Sequence, residues 1–223
     1  ACIVSFLHGK DKNKLNLKNC FEVGKIIAQM HSVTKDVKIS RKNSMGIKNL
    51  DPLLKSIKLK SKKFNNLEKF LKNNLKDIKK NWPKKLPNGI IHGDLFIDNI
   101  FFKNNKLSGI IDYYFSCYDF YAFEIAICLN ALCFEGKNEN LSFNVTKAKK
   151  FIDGYSTIRE ITDDERKPLK ILCQGAAIRF LLTRVFDYLN LTEGALVKIK
   201  DPIEYLKRLE FHNSVENYQD YFF

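Results

Sequence analysis

Residues 88–112 constrain the fold more tightly than any other stretch of the chain. An apolar run, Gly89-Ile90-Ile91, leads into His92-Gly93-Asp94-Leu95-Phe96-Ile97-Asp98-Asn99. Ile100-Phe101-Phe102 and Leu107–Ile111 then flank Lys103-Asn104-Asn105-Lys106, the pattern of a β-hairpin with a polar turn. Asp112 closes the return strand. If Ile100–Phe102 pairs with Leu107–Ile111, Asn99 and Asp112 stand together at the open end of the ladder. Asp94 lies five residues before Asn99 on the same loop.

The rest of the chain reads mainly as helix. Residues 2–7 predict one short strand, stopped at His8-Gly9. Phe21, Gly24, Ile27/Ala28 and His31 form an apolar stripe over Leu17–His31, and residues 32–50 read as irregular. From Pro52 to Trp82, Leu67, Phe70, Leu71, Leu75, Ile78 and Trp82 recur at helical steps until Pro83 and Pro87. Phe120–Phe134 and Val145–Ile158 predict two further helices. Thr162-Asp163-Asp164-Glu165 is a capping box, expected to open one long helix running towards Asn190. Asp201-Pro202 supplies the start of a last helix to about Asn217. The fold class expected is α+β, mostly helical, with one short hairpin.

Composition decides between partners. At 223 residues with 45% hydrophobic content and 18 Phe, the chain can build a packed core. The formal charge of +13 invites a nucleic-acid reading. Residues 1–91, however, hold 22 Lys/Arg against 6 Asp/Glu, whereas residues 92–223 hold 16 against 19. The cations are 32 Lys and only 6 Arg, and bidentate base contacts favour Arg. A lysine-coated helical surface is the expectation, with no nucleic-acid partner. The alternative of another class is a basic nucleic-acid-binding module on residues 10–85. The six Cys have no CxxC spacing and several lie in apolar runs, so reduced, buried thiols in a cytoplasmic protein are expected. No apolar run reaches the ~20 residues of a membrane span, and there is no signal-peptide pattern.

The loop and hairpin carry chemistry. One carboxylate (Asp112) and one amide oxygen (Asn99) suit a Mg²⁺ ion that also takes phosphate oxygens from a nucleotide. Asp94 can then receive or orient a hydroxyl proton. A base beside two ligands for a phosphate-bound cation is the arrangement phosphoryl transfer requires.

The loop resembles the catalytic loop of kinases, in the form used by the aminoglycoside phosphotransferase/choline kinase group. That resemblance implies the C-terminal lobe of a protein-kinase-like fold. It makes Asp94 the catalytic Asp, Asn99 the loop ligand and Asp112 the metal-binding Asp. Gly93 stands where protein kinases place Arg, and Tyr113-Tyr114 replaces their Phe-Gly. Both departures favour a small-molecule acceptor. His92 and Glu124 take structural roles by the same match, His92 holding the backbone around the metal-binding Asp. Ile-Asp-Tyr-Tyr-Phe-Ser-Cys at 111–117, Ala-Ile-Cys-Leu-Asn-Ala-Leu-Cys-Phe-Glu at 126–135, Arg-Phe-Leu-Leu-Thr-Arg at 179–184 and the Ala-Leu-Val segment at 195–197 are similar to the homoserine kinase branch. That branch implies ATP with Mg²⁺, and phosphorylation of the side-chain hydroxyl of L-homoserine in threonine synthesis.

Ile3–Leu7 looks like the hinge strand of this family, with Ser5 and Phe6 at the nucleotide. The ten glycines form no phosphate loop, and the Lys of an N-terminal lobe cannot be placed. The resemblance therefore implies a hinge at 1–8 from a missing lobe of roughly a hundred residues. Residues 9–223 would be the helical lobe, with its catalytic loop at 92–99 and little kinase activity of its own. For the acceptor, Asp119 is a candidate for the ammonium, and Arg179 or Arg184 for the carboxylate. The competing role for Arg184 is a salt bridge to Asp187. Choline, an aminoglycoside or another amino alcohol are the alternative acceptors, and a non-catalytic relic is a third reading. The oligomeric state stays open.

Overall fold

The capping box at Asn16 sets the first helix. Asn16 Oδ1 accepts from the Asn19 amide at 2.8 Å, and the Asn19 side chain accepts from the Asn16 amide. The structure, a computed structural model, describes residues 5–37, 41–57, 67–137, 140–190 and 200–222. The helices are α1 (Leu17–Val33), α2 (Leu50–Ser56), α3 (Leu67–Asn81), α4 (Tyr121–Leu132), α5 (Val145–Ser156), α6 (Asp163–Arg166), α7 (Leu169–Leu189) and α8 (Ile203–Ser214). The strands are β1 (Asn88–Ile91), β2 (Ile100–Lys103), β3 (Lys106–Ile110), β4 (Cys117–Phe120), β5 (Phe134–Glu135) and β6 (Ser142–Phe143). They form three separate antiparallel pairs, β1 with β4, β2 with β3 and β5 with β6. The architecture is α+β and mostly helical.

Burial explains which helix faces meet. α4 is buried on nearly every side and crosses α7, which also packs against α2, α3 and α8. α1 lies along α5 so closely that a Cβ on Gly24 would stand 2.0 Å from the Phe151 carbonyl oxygen, and one on Gly154 2.0 Å from that of Phe21. Two glycines facing each other's helix thus set the α1–α5 distance. On α3, Leu67, Leu71, Leu75 and Ile78 are buried, while Lys69, Lys72, Lys76 and Lys80 are exposed. The basic stretch is, at this helix, a solvated coat.

Several expectations are corrected. Residues 5–9 form no strand; the first pairing is an isolated bridge, in which Lys10 and Phe102 exchange both backbone hydrogen bonds at 3.0 and 2.8 Å. Ile3 and Val4 of the expected hinge lie outside the described residues, as does the 195–197 segment. The helix from the Thr162 capping box stops at Arg166, because Pro168 has no N–H to continue it, and α7 starts afresh at Leu169. α8 ends at Ser214, and Asn217 caps a separate 3₁₀ turn instead. Residues 32–50 are less irregular than expected, since a 3₁₀ turn at Ile47–Asn49 leads directly into α2. The β1–β4 pairing was not anticipated: Ile91 lies opposite Cys117 and Asn88 opposite Phe120.

Cys20, Cys117, Cys128, Cys133 and Cys173 are free and buried. Burial pushes the Cys20 thiol up to about 11 and that of Cys117 to about 12, which removes their nucleophilic form. No helix among the described residues is long and apolar enough to cross a membrane.

Candidate active site

The loop after β1 is built on a buried carboxylate. Glu124, at the first turn of α4, is fully buried and accepts the amide N–H of His92 and, at 3.1 Å, that of Gly93. Gly93 itself has φ +76°, and a Cβ there would lie 2.9 Å from the Phe115 carbonyl oxygen. The Arg that protein kinases carry here has no room, so the glycine is a steric requirement.

His92 ties the loop to the hairpin. Its Nε2 donates to the Ile111 carbonyl at 2.9 Å, and its Nδ1 accepts from the Asp94 amide at 3.3 Å. A carbonyl can only accept and an amide N–H can only donate, so the two bonds select the Nε2–H tautomer. Ile111 precedes Asp112, whose φ of +65° is left-handed and whose carboxylate accepts from the Tyr114 amide at 3.4 Å. The hairpin register pairs Ile100 with Ile110, and the Ile111 amide donates to the Asn99 carbonyl at 3.0 Å. Asn99 and Asp112 therefore flank the open end of the ladder.

Asn99 is oriented by its own loop. Its Nδ2 donates to the Asp94 carbonyl at 3.0 Å, which leaves Oδ1 as the open oxygen donor. Asp94, Asn99 and Asp112 all line one cavity of about 280 Å³. Asp94 is mostly buried, and burial holds its carboxyl above the ordinary range; Arg179 opposes that shift and Asp112 reinforces it. Among the described residues, no group of three or more His, Cys, Asp or Glu side chains converges on a metal position. The donor set is one carboxylate and one amide oxygen, which fits a hard cation completed by phosphate oxygens and water.

The remaining expected site residues are placed as follows. Arg179 on α7 is buried, donates to the Gly93 carbonyl at 2.5 Å and stands 3.6 Å from Asp94 Oδ1, so it holds the loop. Arg184 lines the same cavity and pairs with Glu204 at 3.0 Å; the bridge to Asp187 considered from the sequence is not formed. Asp119 is not on the cavity wall: it lies on β4, opposite Gly89, where its carboxylate accepts from Asn43 Nδ2 at 2.7 Å. Burial raises its carboxyl and the Asn43 hydrogen bond opposes that. Ser5 and Phe6 are exposed, Phe6 at 82%, and neither lines this cavity.

Sequence reading missed Asp187, Thr183, Lys200 and Met45, which share the cavity wall. The signal for the first two was helical spacing: Thr183 and Arg184 follow Arg179 by four and five residues, and Asp187 follows them by four and three, along α7. A larger groove of about 690 Å³ runs along α3 and α7, lined by Asn73, Asn74, Asn81, Gln174 and Asn213 among others. It has amides and lysines but no pairing of a base with cation ligands.

Known proteins resemble this chain in sequence and in fold. The model of the phosphotransferase enzyme family matches residues 1–160. Homoserine kinase of Afipia carboxidovorans is 42% identical over 222 residues, which is 99% of this chain and 67% of that protein. Homoserine kinase of Bradyrhizobium diazoefficiens is 44% identical over 223 residues, again 67% of its length. The chain thus spans about two thirds of these curated relatives. Among solved structures, Plasmodium vivax ethanolamine kinase has a TM-score of 0.66 at 18% identity, covering 97% of this chain and 65% of that one. An amicoumacin kinase in complex with AMP-PNP and Ca²⁺ has a TM-score of 0.63 at 15% identity, covering 92% of this chain and 61% of its own. The fold is of the α+β kinase-like type.

Proposed function

This chain belongs to the phosphotransferase enzyme family, in its homoserine kinase group, and from that premise we propose that it carries the acceptor and catalytic half of an ATP-dependent kinase for the side-chain hydroxyl of L-homoserine. The observation that carries the reading is the convergence of Asp94, Asn99 and Asp112 on one cavity. Asp94 accepts or orients the proton of the attacking hydroxyl, and its buried, raised carboxyl suits a proton acceptor. Arg179 keeps that carboxylate aimed and Glu124 holds the loop that bears it. Asp112 and Asn99 Oδ1 are the ligands for Mg²⁺, whose chemistry when bound is to neutralise the charge on the transferring phosphate.

Arg184 remains the candidate for the acceptor carboxylate, since Arg179 is committed to the loop. Residues 1–8 would serve as hinge, where exposed Phe6 offers a ring face to a base, and residues 9–223 as the helical lobe. Buried, reduced thiols fit a cytoplasmic setting. The basic nucleic-acid module is not favoured by the comparisons.

The test is coupled ADP release by the product of the complete reading frame encoding this chain. L-Homoserine, choline, ethanolamine and an aminoglycoside would be compared as acceptors. L-Homoserine is expected to be the best of them, and Asp94→Asn to lower kcat by roughly 10²–10⁴ with the fold intact. Preference for another acceptor overturns the substrate, and near-normal turnover by Asp94→Asn overturns the base.

A further inference from the structure

The charged side chains on the cavity wall are mostly paired within the protein. Asp94 stands beside Arg179, Asp98 takes Lys200 at 3.1 Å, and Arg184 takes Glu204 at 3.0 Å. Asp112 is reserved for the cation. One carboxylate is left over. Asp187 has no hydrogen bond or ion pair among the described residues, although it lines the cavity and its environment contains three of the chain's cations.

Its place is fixed by α7. Asp187 lies two turns beyond Arg179, about 12 Å along the helix axis at 1.5 Å per residue. Asp94 is at the Arg179 end. Extended homoserine spans about 5 Å from hydroxyl oxygen to ammonium nitrogen, and a hydrogen bond of about 3 Å at each end brings the reach to roughly 11 Å. That reach is close to the rise of about 12 Å along this wall, so an acceptor whose hydroxyl meets Asp94 has the length to bring its amine towards Asp187, which lines the same cavity. Between these two points the wall is formed by Phe180, Thr183 and Arg184.

We propose that Asp187 is the specificity residue that receives the α-ammonium of the acceptor. This assignment rests on the homoserine reading above and moves the role away from Asp119, whose carboxylate is occupied by Asn43. An unpaired carboxylate in a cavity of otherwise neutralised charges selects a cation on the ligand, and the cation of an amino acid is its amine. Acceptors without one would lose this contact and keep the rest.

The experiment uses the product of the complete reading frame, with L-homoserine and its des-amino analogue 4-hydroxybutanoate as acceptors. Asp187→Asn is expected to raise KM for L-homoserine about 10- to 100-fold, with kcat within about threefold. The KM for 4-hydroxybutanoate should stay unchanged, and Asp187→Glu should restore most of the homoserine affinity. Calorimetric binding of L-homoserine without nucleotide should weaken in parallel. Asp187 is exposed, so the variant is expected to fold, and an unchanged Tm verifies it. An unchanged homoserine KM, an equal rise for both acceptors, or a shift confined to the Mg²⁺ requirement each overturns the assignment. If the unaltered enzyme ignores L-homoserine, the proposed function fails and this inference falls with it.

Discussion

Arg179 Nη2 lies 3.6 Å from Asp94 Oδ1, while its Nη1 donates to the carbonyl of Gly93, the residue just before. One guanidinium on α7 therefore holds both the backbone and the carboxylate of the loop, 85 residues away in sequence. Its Cζ lies over the Phe180 ring, 4.6 Å from the centroid, so the guanidinium also packs on an aromatic face. Charge alone does not reproduce this geometry.

Arg179→Lys is accordingly expected to keep the ion pair's sign and lose the fork, lowering kcat at least tenfold with a small fall in Tm. Arg179→Ala leaves a mostly buried carboxylate unpaired and should cost about 3 kcal/mol in urea unfolding. Equal kcat in the Lys variant and the parent would show that Arg179 acts only as a counter-charge.

Glu124 Oε2 accepts from both the His92 and Gly93 amides, and Oε1 accepts from Gly93 again at 3.4 Å, in a fully buried place. Gln would turn an NH₂ group towards one of those donors. Glu124→Gln should cost about 2 kcal/mol and lower kcat through a misplaced loop, whereas Glu124→Asp retains both acceptors and should cost less. Chemical denaturation of the two variants ranks them, and the reverse order contradicts the acceptor role.

Gly24 and Gly154 each sit against the other helix's backbone. A methyl group at Gly154 has no flexible neighbour to push aside, so Gly154→Ala should destabilise by about 2 kcal/mol or more. The site lies on other elements, so kcat at low temperature should be retained. A stability within 0.5 kcal/mol of the parent, on the order of surface substitutions, rejects this packing.

Two buried histidines set a pH dependence. Burial, with a nearby arginine in each case, lowers His31 and His212 to about 3. Their unfolded value is about 6.5, so the unfolded chain takes up the protons. Stability from these rings is full above that value and is lost as pH falls from about 6.5 towards 3, by up to about 1.4 kcal/mol per unit for each ring. The raised carboxyls of Asp119 and Glu124 act with the opposite sign, so the comparison must isolate one ring. His212→Gln should show a shallower loss of Tm between pH 7 and 5 than the parent; identical slopes would exclude the effect.

Local patterns were legible in the sequence wherever one period ruled a whole element. The α1 and α3 stripes, the hairpin and the apolar α4 could be read because short-range spacing determines them. Pairings between distant segments could not. Cys117–Phe120 alternates too briefly to announce a strand, and its partner β1 lies beyond the whole catalytic loop. Arg179 was legible as a charge inside an apolar helix, yet its commitment to Asp94 depends on how α7 crosses the loop. Asp119 was assigned by proximity in sequence to Asp112, and the strand it occupies carries it to Asn43 instead. Pro168 stands inside the one long helix expected there and divides it into α6 and α7.

The β1–β4 pair has one more consequence. Because Ile91 and Cys117 are partners, the segment between them leaves and re-enters the body of the protein at a single doorway. Its far tip, Asn104-Asn105, is an exposed turn with both residues at positive φ. Length added there changes a tether whose ends are already joined, at an entropic cost that grows only slowly with length. The hairpin tip is thus where this lineage can graft new sequence without retuning its reactive groups.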